Sequence, residues 1–182
     1  MTGRVFDHTH AWQMTSGQLA RAASLLAAAA TEQFGPADEV IAVARGGIQP
    51  AQAIAALLGV PLRPVRAQHN PTSALYTQAT GRVSTTGTSI EPGSVQGNIL
   101  IVDDICGTGA TLHAVTATLT PLTAPGARLH TITLCRNAGA STRPSLTVWD
   151  NLREWVIFPW EPSPREGIRL QALPAPVRVS GR

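Results

Sequence analysis

The chain has 182 residues, a net charge of +3 and 43% hydrophobic residues, which is enough for one ordinary domain with a buried core. The chain has no lysine, and its arginines are scattered rather than grouped in a basic run, so nothing indicates a nucleic-acid partner. We see no membrane span, no secretory signal, and no metal pattern or disulfide framework in the two cysteines. We expect a single domain over residues 1–182 in a reducing cytoplasm, without a membrane or nucleic-acid partner.

The N-terminal part of the chain predicts an arm followed by a helix. Residues 1–17 are expected to be an arm or a short strand. Apolar side chains at helical spacing predict an amphipathic helix over 18–33, which Gly35-Pro36 ends.

A glycine turn then follows the first apolar strand. The strand is predicted over 40–44 and leads directly into Arg45-Gly46-Gly47. Two glycines let the backbone approach a ligand closely, and an arginine can donate a pair of hydrogen bonds to phosphate oxygens. The segment is therefore either a plain strand-to-helix turn or a phosphate-binding loop.

The next part of the chain predicts a second helix, a strand and a long polar segment. The helix is expected over 50–58, and 60–67 is mostly strand, with two prolines that favour an edge position or an irregular start. Residues 68–97 are polar and rich in glycine and proline. A segment of this length inside a compact domain is usually functional or disordered.

Residues 98–111 carry the most informative pattern. A run of branched apolar residues predicts a strand buried on both faces, and it ends at Asp103-Asp104. A loop with Gly107 and Gly109 and a helix from Thr111 to Leu119 follow; free backbone N–H groups and the helix N-terminus favour an anion such as phosphate. The carboxylates would repel that phosphate and instead suit the hydroxyls of a sugar or a divalent metal.

The pattern Val-Asp-Asp-Ile-x-x-Thr-Gly-x-Thr closely resembles the phosphoribosyl-pyrophosphate (PRPP) motif of type I phosphoribosyltransferases. The resemblance implies an α/β fold with a central, mostly parallel sheet flanked by helices, a flexible hood loop and a small C-terminal base-binding element. It implies that Asp103 and Asp104 are catalytic, with Asp104 also a metal ligand. The implied 5′-phosphate cradle comprises Cys106, Gly107, Thr108, Gly109, Ala110 and Thr111.

The same resemblance assigns the earlier segments. Arg45, Gly46 and Gly47 would form the pyrophosphate loop, with Arg45 catalytic. Residues 68–97 would be the mobile hood loop, in which Tyr76 and Arg82 would contact PRPP. The thiol of Cys106 lies where a helix N-terminus could lower its pKa, although a small wall residue is the favoured role.

The C-terminal part predicts strands at 128–135 and 146–149 and then an aromatic cluster. Trp155-x-x-x-Pro-Trp-Glu161 resembles the base-binding element of xanthine-guanine phosphoribosyltransferases, whereas Phe158 is expected in the core. The resemblance makes 136–161 a base-binding hood and leaves 162–182 as a tail whose end, 177–182, is expected to be poorly ordered. The implied base-binding residues are Ile105, Arg136, Trp155, Val156 and Glu161.

One position departs from the family pattern. Relatives that act on oxopurines usually carry an aspartate, thought to take the purine proton, where this chain has Gly107. Since a general base typically contributes about 10²- to 10⁴-fold in rate, three interpretations stay open. The base arrives ionised, another residue (Glu161, His69 or His113) takes the proton, or the protein binds PRPP with little catalysis.

These patterns together predict a Mg²⁺-dependent enzyme that transfers phosphoribosyl from PRPP to a purine-like base, with 6-oxopurines such as xanthine, guanine or hypoxanthine favoured. The alternatives are a modified base such as a 7-deazapurine, and a non-catalytic PRPP-binding regulator on the same fold. Family resemblance also implies a homodimer or homotetramer.

Overall fold

The computed structural model describes residues 3–68, 84–85, 90–162, 167–176 and 178–181. Within these ranges the chain forms two sheets and three α-helices. The helices are α1 (Ser16–Phe34), α2 (Ile48–Leu58) and α3 (Ala110–Leu119), with a 3-10 turn at Thr120–Leu122. The strands are β1 (Ala11–Gln13), β2 (Glu39–Ala44), β3 (Leu62–Gln68), β4 (Ser84–Thr85), β5 (Asn98–Cys106), β6 (Arg128–Asn137), β7 (Leu146–Leu152), β8 (Trp155–Ile157), β9 (Leu170–Ala172) and β10 (Ser180–Gly181).

The larger sheet has the strand order β10-β7-β6-β5-β2-β3-β4. Its five central strands are parallel, and the short strands β4 and β10 add antiparallel pairs at the two edges. The chain proceeds from β2 to β3 on one side and continues from β5 to β7 on the other side. The strand order therefore reverses between β2 and β5, and ligands of open α/β sheets bind at the carboxyl ends of the strands at such a point.

Alternating side chains on the buried strands divide the core into two layers. On β5, Leu100 and Val102 pack on the face covered by α1 and α2, whereas Ile99 and Ile101 pack on the face covered by α3. Both faces are covered, which explains why this strand is a continuous apolar run rather than an alternating one. The predicted α/β fold with helices on both faces of a mostly parallel sheet is confirmed.

The predicted helices and strands are present, and none of their ends is displaced by more than three residues. For example, α1 begins two residues before the predicted start because Thr15 is its N-cap. The Thr15 hydroxyl accepts from the backbone N–H of Gln18, and the Gln18 side chain accepts from the N–H of Thr15. This reciprocal pair satisfies two N–H groups that would otherwise have no partner.

The smaller sheet was not expected from the sequence. It has the order β8-β1-β9, with all pairs parallel, so the N-terminal strand lies between two strands from the C-terminal part of the chain. Among the described residues, no helix is long and apolar enough to cross a membrane.

The C-terminal segment differs from the expected tail. Residues 170–172 form β9, Leu173 is buried, and the carbonyl of Pro174 accepts a 2.9 Å hydrogen bond from Trp149 Nε1. Strand β10 then pairs with β7. The high proline content suggested an irregular tail, but these residues are held by strand pairing with distant parts of the chain, which local composition does not reveal.

Candidate active site

The glycine turn after β2 meets the acidic pair of β5 at the point where the strand order reverses. Gly46 and Gly47 follow β2, and Asp103 and Asp104 lie near the end of the neighbouring strand β5. A Cβ atom on Gly46 would lie 2.0 Å from Asp104 Oδ2. The absence of a side chain at this position therefore lets the turn close directly onto the carboxylate.

Gly47 has a different reason to be glycine. A Cβ atom here would lie 2.3 Å from the carbonyl oxygen of Val102 and 2.6 Å from that of Val43, so it would collide with the backbone of both strands. The N–H of Gly47 already donates to the carbonyl of Val43 at 2.8 Å. Gly47 thus sets the shape of the turn, whereas the exposed guanidinium of Arg45 is the group that can reach a ligand.

The acidic pair is held by its own backbone. The N–H of Asp104 donates to Asp103 Oδ1 at 3.0 Å, and the N–H of Ile105 donates to Asp104 Oδ1 at 2.6 Å. Asp103 is 7% exposed and Asp104 is half-buried. Each carboxylate is therefore fixed through one oxygen, and Asp104 Oδ2 is directed toward the Gly46 turn.

Burial and like charge make this pair hard to ionise. Burial, followed by the charge of Asp104, raises the pKa of Asp103 well above its usual range. Burial, followed by the charge of Glu161, raises the pKa of Asp104 to about 6. A bound cation or cationic transition state would be favoured here because it would compensate these charges.

The loop after β5 is pinned to a neighbouring loop. The carbonyl of Thr108 accepts from both the N–H (3.2 Å) and the hydroxyl (3.0 Å) of Ser141. Gly109 has a φ of 92°, and a Cβ there would lie 2.6 Å from the Cβ of Thr142. Glycine is therefore required at this position, which is the N-cap of α3.

Helix α3 places its N-terminus in this loop. It begins at Ala110, and Thr111 is in its first turn, where backbone N–H groups have no partner inside the helix. Gly107 and Thr108 lie between the end of β5 and this helix N-terminus, so the residues predicted to hold the 5′-phosphate are neighbours here. Such an arrangement suits a phosphate group.

Cys106 does not fit the expected loop position. It is the last residue of β5, 1% exposed, and packs with Leu112 and Val115 of α3. Burial raises the pKa of its thiol to about 11, so the possible lowering by the helix N-terminus is wrong. The side chain belongs to the core because strand β5 is longer than the apolar run alone suggested.

Some of the residues predicted to bind the base lie on β8 and shortly after it, and Glu161 is near enough to the acidic pair for its charge to raise the pKa of Asp104. Trp155 and Val156 lie on β8, an edge strand of the smaller sheet, and Val156 is buried. The Glu161 carboxylate accepts from the N–H of Phe158 at 2.9 Å, and burial raises its pKa. Phe158 is buried, as expected, and stacks on Trp160.

Arg136 is buried in a different environment. It pairs in register with Cys106, so it faces the α3 side of the sheet, and its guanidinium bonds to Asp150, which also pairs with Arg143 at 3.2 Å. This ion pair holds the Arg136 side chain on the α3 face of the sheet. The preceding residue, Cys135, packs on the face covered by α1 and α2. A base contact by Arg136 stays a prediction.

The structure adds one residue that the sequence did not indicate. The guanidinium of Arg4 lies against Gly107 and near the Trp155 indole, with its Cζ atom 5.8 Å from the ring centroid. The pairing partner of the N-terminal strand lies more than 140 residues away, so no local pattern could have located this arginine. The only indication in the sequence was the glycine at position 107, because a glycine in a binding site leaves space that a side chain from another segment can fill.

The remaining predicted site residues are outside the described ranges, exposed on a helix, or beside the acidic pair. Tyr76, Arg82 and His69 are outside the described residues. His113 is exposed on α3. Ile105 is half-buried beside the acidic pair and uses its N–H to bind Asp104.

The acidic pair is compatible with a magnesium ion. Within the described ranges, no group of three or more histidine, cysteine or acidic side chains could hold a metal. Two adjacent carboxylates nevertheless fit Mg²⁺, which proteins usually bind through one or two carboxylates together with waters and the phosphates of a substrate.

Comparisons with known proteins agree with this geometry. The sequence model of the phosphoribosyl transferase domain matches residues 15–166, and the chain therefore belongs to this family. Among solved structures, a purine phosphoribosyltransferase from Pyrococcus horikoshii is 26% identical, with a TM-score of 0.71, over 86% of this chain and 98% of that one. A comparison with curated proteins found no match.

Two more distant structures show the same fold. A xanthine-guanine-hypoxanthine phosphoribosyltransferase from Helicobacter pylori is 18% identical over 84% of this chain and 94% of that one, with a TM-score of 0.65. A hypoxanthine phosphoribosyltransferase from Staphylococcus aureus is 20% identical over 78% of this chain and 77% of that one, with a TM-score of 0.56.

Proposed function

We propose that this protein transfers the 5-phosphoribosyl group of PRPP to a purine-like base, releasing pyrophosphate and a nucleoside 5′-monophosphate. The observation that carries the proposal is the contact between the Gly46 turn and Asp104 at the strand-order reversal. Because Gly46 lies directly beside Asp104, one PRPP molecule could contact both the Arg45-Gly46-Gly47 turn and the acidic pair. The family and the purine phosphoribosyltransferase from Pyrococcus support it.

Each part of the substrate has a complementary group. The cradle formed by residues 107–111 would hold the 5′-phosphate, and Asp103 and Asp104 would accept hydrogen bonds from the ribose hydroxyls. Their negative charge would stabilise the cationic ribosyl group that forms as the bond to pyrophosphate breaks. Arg45 would bind pyrophosphate, whose negative charge increases as it leaves.

Mg²⁺ would be held by Asp104, with Asp103 beside it, and it would neutralise charge on pyrophosphate. The raised pKa of both carboxylates supports this role, since a cation would compensate their repulsion.

For the base we favour a 6-oxopurine, which would lie beside Trp155, Val156 and Glu161, with Ile105 near its edge. A 7-deazapurine or similar modified base is the alternative substrate. A PRPP-binding regulator is the alternative class, and the absence of a carboxylate at Gly107 favours it. We place the protein in the cytoplasm because Cys106 and Cys135 are buried free thiols, and a homodimer or homotetramer follows from family resemblance alone.

The test is pyrophosphate release with PRPP, Mg²⁺ and single bases: xanthine, guanine, hypoxanthine, adenine, orotate, uracil and 7-deazaguanine. We expect turnover with one or a few purine-like bases, and identification of the nucleotide product would give the substrate. Binding of PRPP without turnover of any base would contradict the enzyme and favour the regulator.

The acidic pair predicts a pH dependence of PRPP binding. Since the pKa of Asp104 is about 6 without ligand, Asp104 takes up a proton below this pH and loses affinity for Mg²⁺ and PRPP. We expect the affinity, measured by calorimetry between pH 5 and 8, to fall by up to about tenfold per pH unit on the acid side.

A phosphate group of PRPP also titrates near this pH. A variant is therefore needed to identify how much of the pH dependence of binding comes from the protein. Glu161→Gln keeps an oxygen for the N–H of Phe158 but removes the charge that raises the pKa of Asp104. The midpoint should therefore move to lower pH in Glu161→Gln and stay unchanged in Glu32→Gln, an exposed control on α1. Identical profiles for all three proteins would assign the pH dependence to PRPP alone.

A further inference from the structure

The N-terminal arm, residues 3–10, is fixed across the hood by specific hydrogen bonds. The buried Asn137 side chain accepts from the N–H of Val5 and donates to its carbonyl, both at 2.9 Å. The N–H of Asp7 donates to the carbonyl of Arg153 at 2.7 Å, and the two side chains also form an ion pair. These contacts hold the backbone on both sides of Arg4.

Two glycines make room for this arm. A Cβ atom on Gly139 would lie 2.2 Å from the carbonyl oxygen of Gly3. A Cβ atom on Gly107 would lie 2.1 Å from Arg4 Nε, so the guanidinium occupies the space that a side chain at position 107 would need. Arg4 therefore lies in a space formed by the site itself.

Arg4 brings a positive charge among three carboxylates. Burial raises the pKa of Asp103, Asp104 and Glu161, and the charge of Arg4 counteracts this rise in all three. The same guanidinium lies 5.8 Å from the centroid of the Trp155 ring. A flat base beside Trp155 would therefore lie near the positive charge of Arg4. Relatives with an aspartate in place of Gly107 would present a carboxylate there instead.

We propose that Arg4 is a specificity residue for the base, and that its guanidinium selects an oxo-base that enters the site as an anion. This inference rests on the proposed phosphoribosyl transfer. A guanidinium donates hydrogen bonds and stays charged at all physiological pH values. It can hold a carbonyl oxygen and compensate a negative ring, but it cannot remove a proton.

If the base enters the site as an anion, no carboxylate at position 107 is needed to remove its proton. The proton is lost to water before the base binds. A lone pair of the base nitrogen then forms the bond to C1′ of the ribose, while the bond from C1′ to the pyrophosphate oxygen breaks and its electron pair leaves with pyrophosphate. A dioxopurine such as xanthine meets this requirement better than hypoxanthine because its second carbonyl stabilises the anion.

The test compares xanthine with hypoxanthine in the wild type and in Arg4→Gln. We expect the wild type to prefer xanthine, with kcat/KM rising with pH as xanthine ionises. Loss of the charged contact in Arg4→Gln should lower kcat/KM for xanthine by about 10- to 100-fold. The loss should arise mainly in KM for xanthine, with KM for PRPP within about twofold and a smaller effect on hypoxanthine.

A double variant tests whether the group that fills the space beside Gly107 determines which base is preferred. Arg4→Ala removes the guanidinium, and Arg4→Ala combined with Gly107→Asp places a carboxylate in the vacated space. We expect the double variant to favour hypoxanthine over xanthine, because a carboxylate can accept a proton but repels an anion. The control is Arg21→Gln, which removes one positive charge from an exposed position on α1.

Other results would overturn the proposal. Higher activity of Arg4→Gln with every base would show that the arm obstructs the site, and equal losses for both bases and PRPP would show a structural role. Equilibrium binding of both bases, measured with PRPP absent, separates this inference from the proposed function. Binding of xanthine that depends on Arg4 but without turnover would contradict only the enzyme, whereas equal binding by wild type and Arg4→Gln would contradict the role of Arg4.

Discussion

Asp104→Asn should reduce phosphoribosyl transfer by at least about 10²-fold while the protein remains folded. The substitution keeps the size of the side chain and the oxygen that accepts from the N–H of Ile105, but removes the charge facing the Gly46 turn. Loss of one preorganised electrostatic contact to a transition state typically costs about 10²- to 10³-fold in kcat. Initial rates at saturating PRPP and base measure this effect.

The same variant should be as stable as the wild type or more stable at pH 7.5 without ligands. The pKa of Asp104 in the folded protein, about 6, lies above the ordinary value of 3.8. Between these values the folded state binds more protons than the unfolded state, so stability decreases as the pH rises through this range. At pH 7.5 the ionised carboxylate therefore opposes folding, and asparagine relieves that cost.

Thermal unfolding with and without Mg²⁺ and PRPP tests both parts together. The ligands should raise the Tm of the wild type much more than that of Asp104→Asn, with Glu32→Gln as a control that behaves like the wild type. Normal turnover by Asp104→Asn would disprove the proposed mechanism. A strongly reduced Tm would instead mean that Asp104 is structural.

Gly47→Ala should impair both folding and activity, whereas Gly46→Ala should impair activity alone. The new methyl group at position 47 would collide with backbone carbonyls of two neighbouring strands, and neither strand can move without breaking its ladder. We expect a loss of about 3 kcal/mol in the free energy of unfolding. At position 46 the obstacle is a carboxylate, which can rotate away.

The rotation in Gly46→Ala would displace Asp104 by more than an ångström from its position against the turn. A displacement of this size can cost about 10²-fold in rate, while the Tm should stay close to that of the wild type. Gly17→Ala is the matched control, since a Cβ there has no atom nearer than 3.9 Å. Equal stability of Gly46→Ala and Gly47→Ala would contradict the distinction between side-chain and backbone contacts.

The sequence predicted the parts of this molecule that depend on neighbouring residues. The β5 strand, the acidic pair and the glycine loop form one continuous segment, and the Arg45 turn directly follows its strand. Parallel strands place such turns at one edge of the sheet, so local patterns and a single rule of topology were enough to bring them together.

The sequence could not predict contacts between distant segments. Arg4 reaches the site because β1 pairs with β8 and β9, and Gly107 alone does not reveal which residue fills its space. Arg136 has the expected position along the chain, but its guanidinium is held by Asp150 on the adjacent strand. In both cases a partner distant in sequence decides where the charge lies.

The arrangement of the smaller sheet has a consequence for biosynthesis. Its central strand, β1, is synthesised before the parallel strands of the main sheet, but both of its neighbours, β8 and β9, are synthesised after the last of those strands, β7. The strands of the main sheet that carry the acidic pair and its glycine turns can pair earlier. The part of the site for which we propose base binding therefore assembles only after β8 and β9 have been made, whereas the strands that carry the proposed phosphate-binding loops are complete before then.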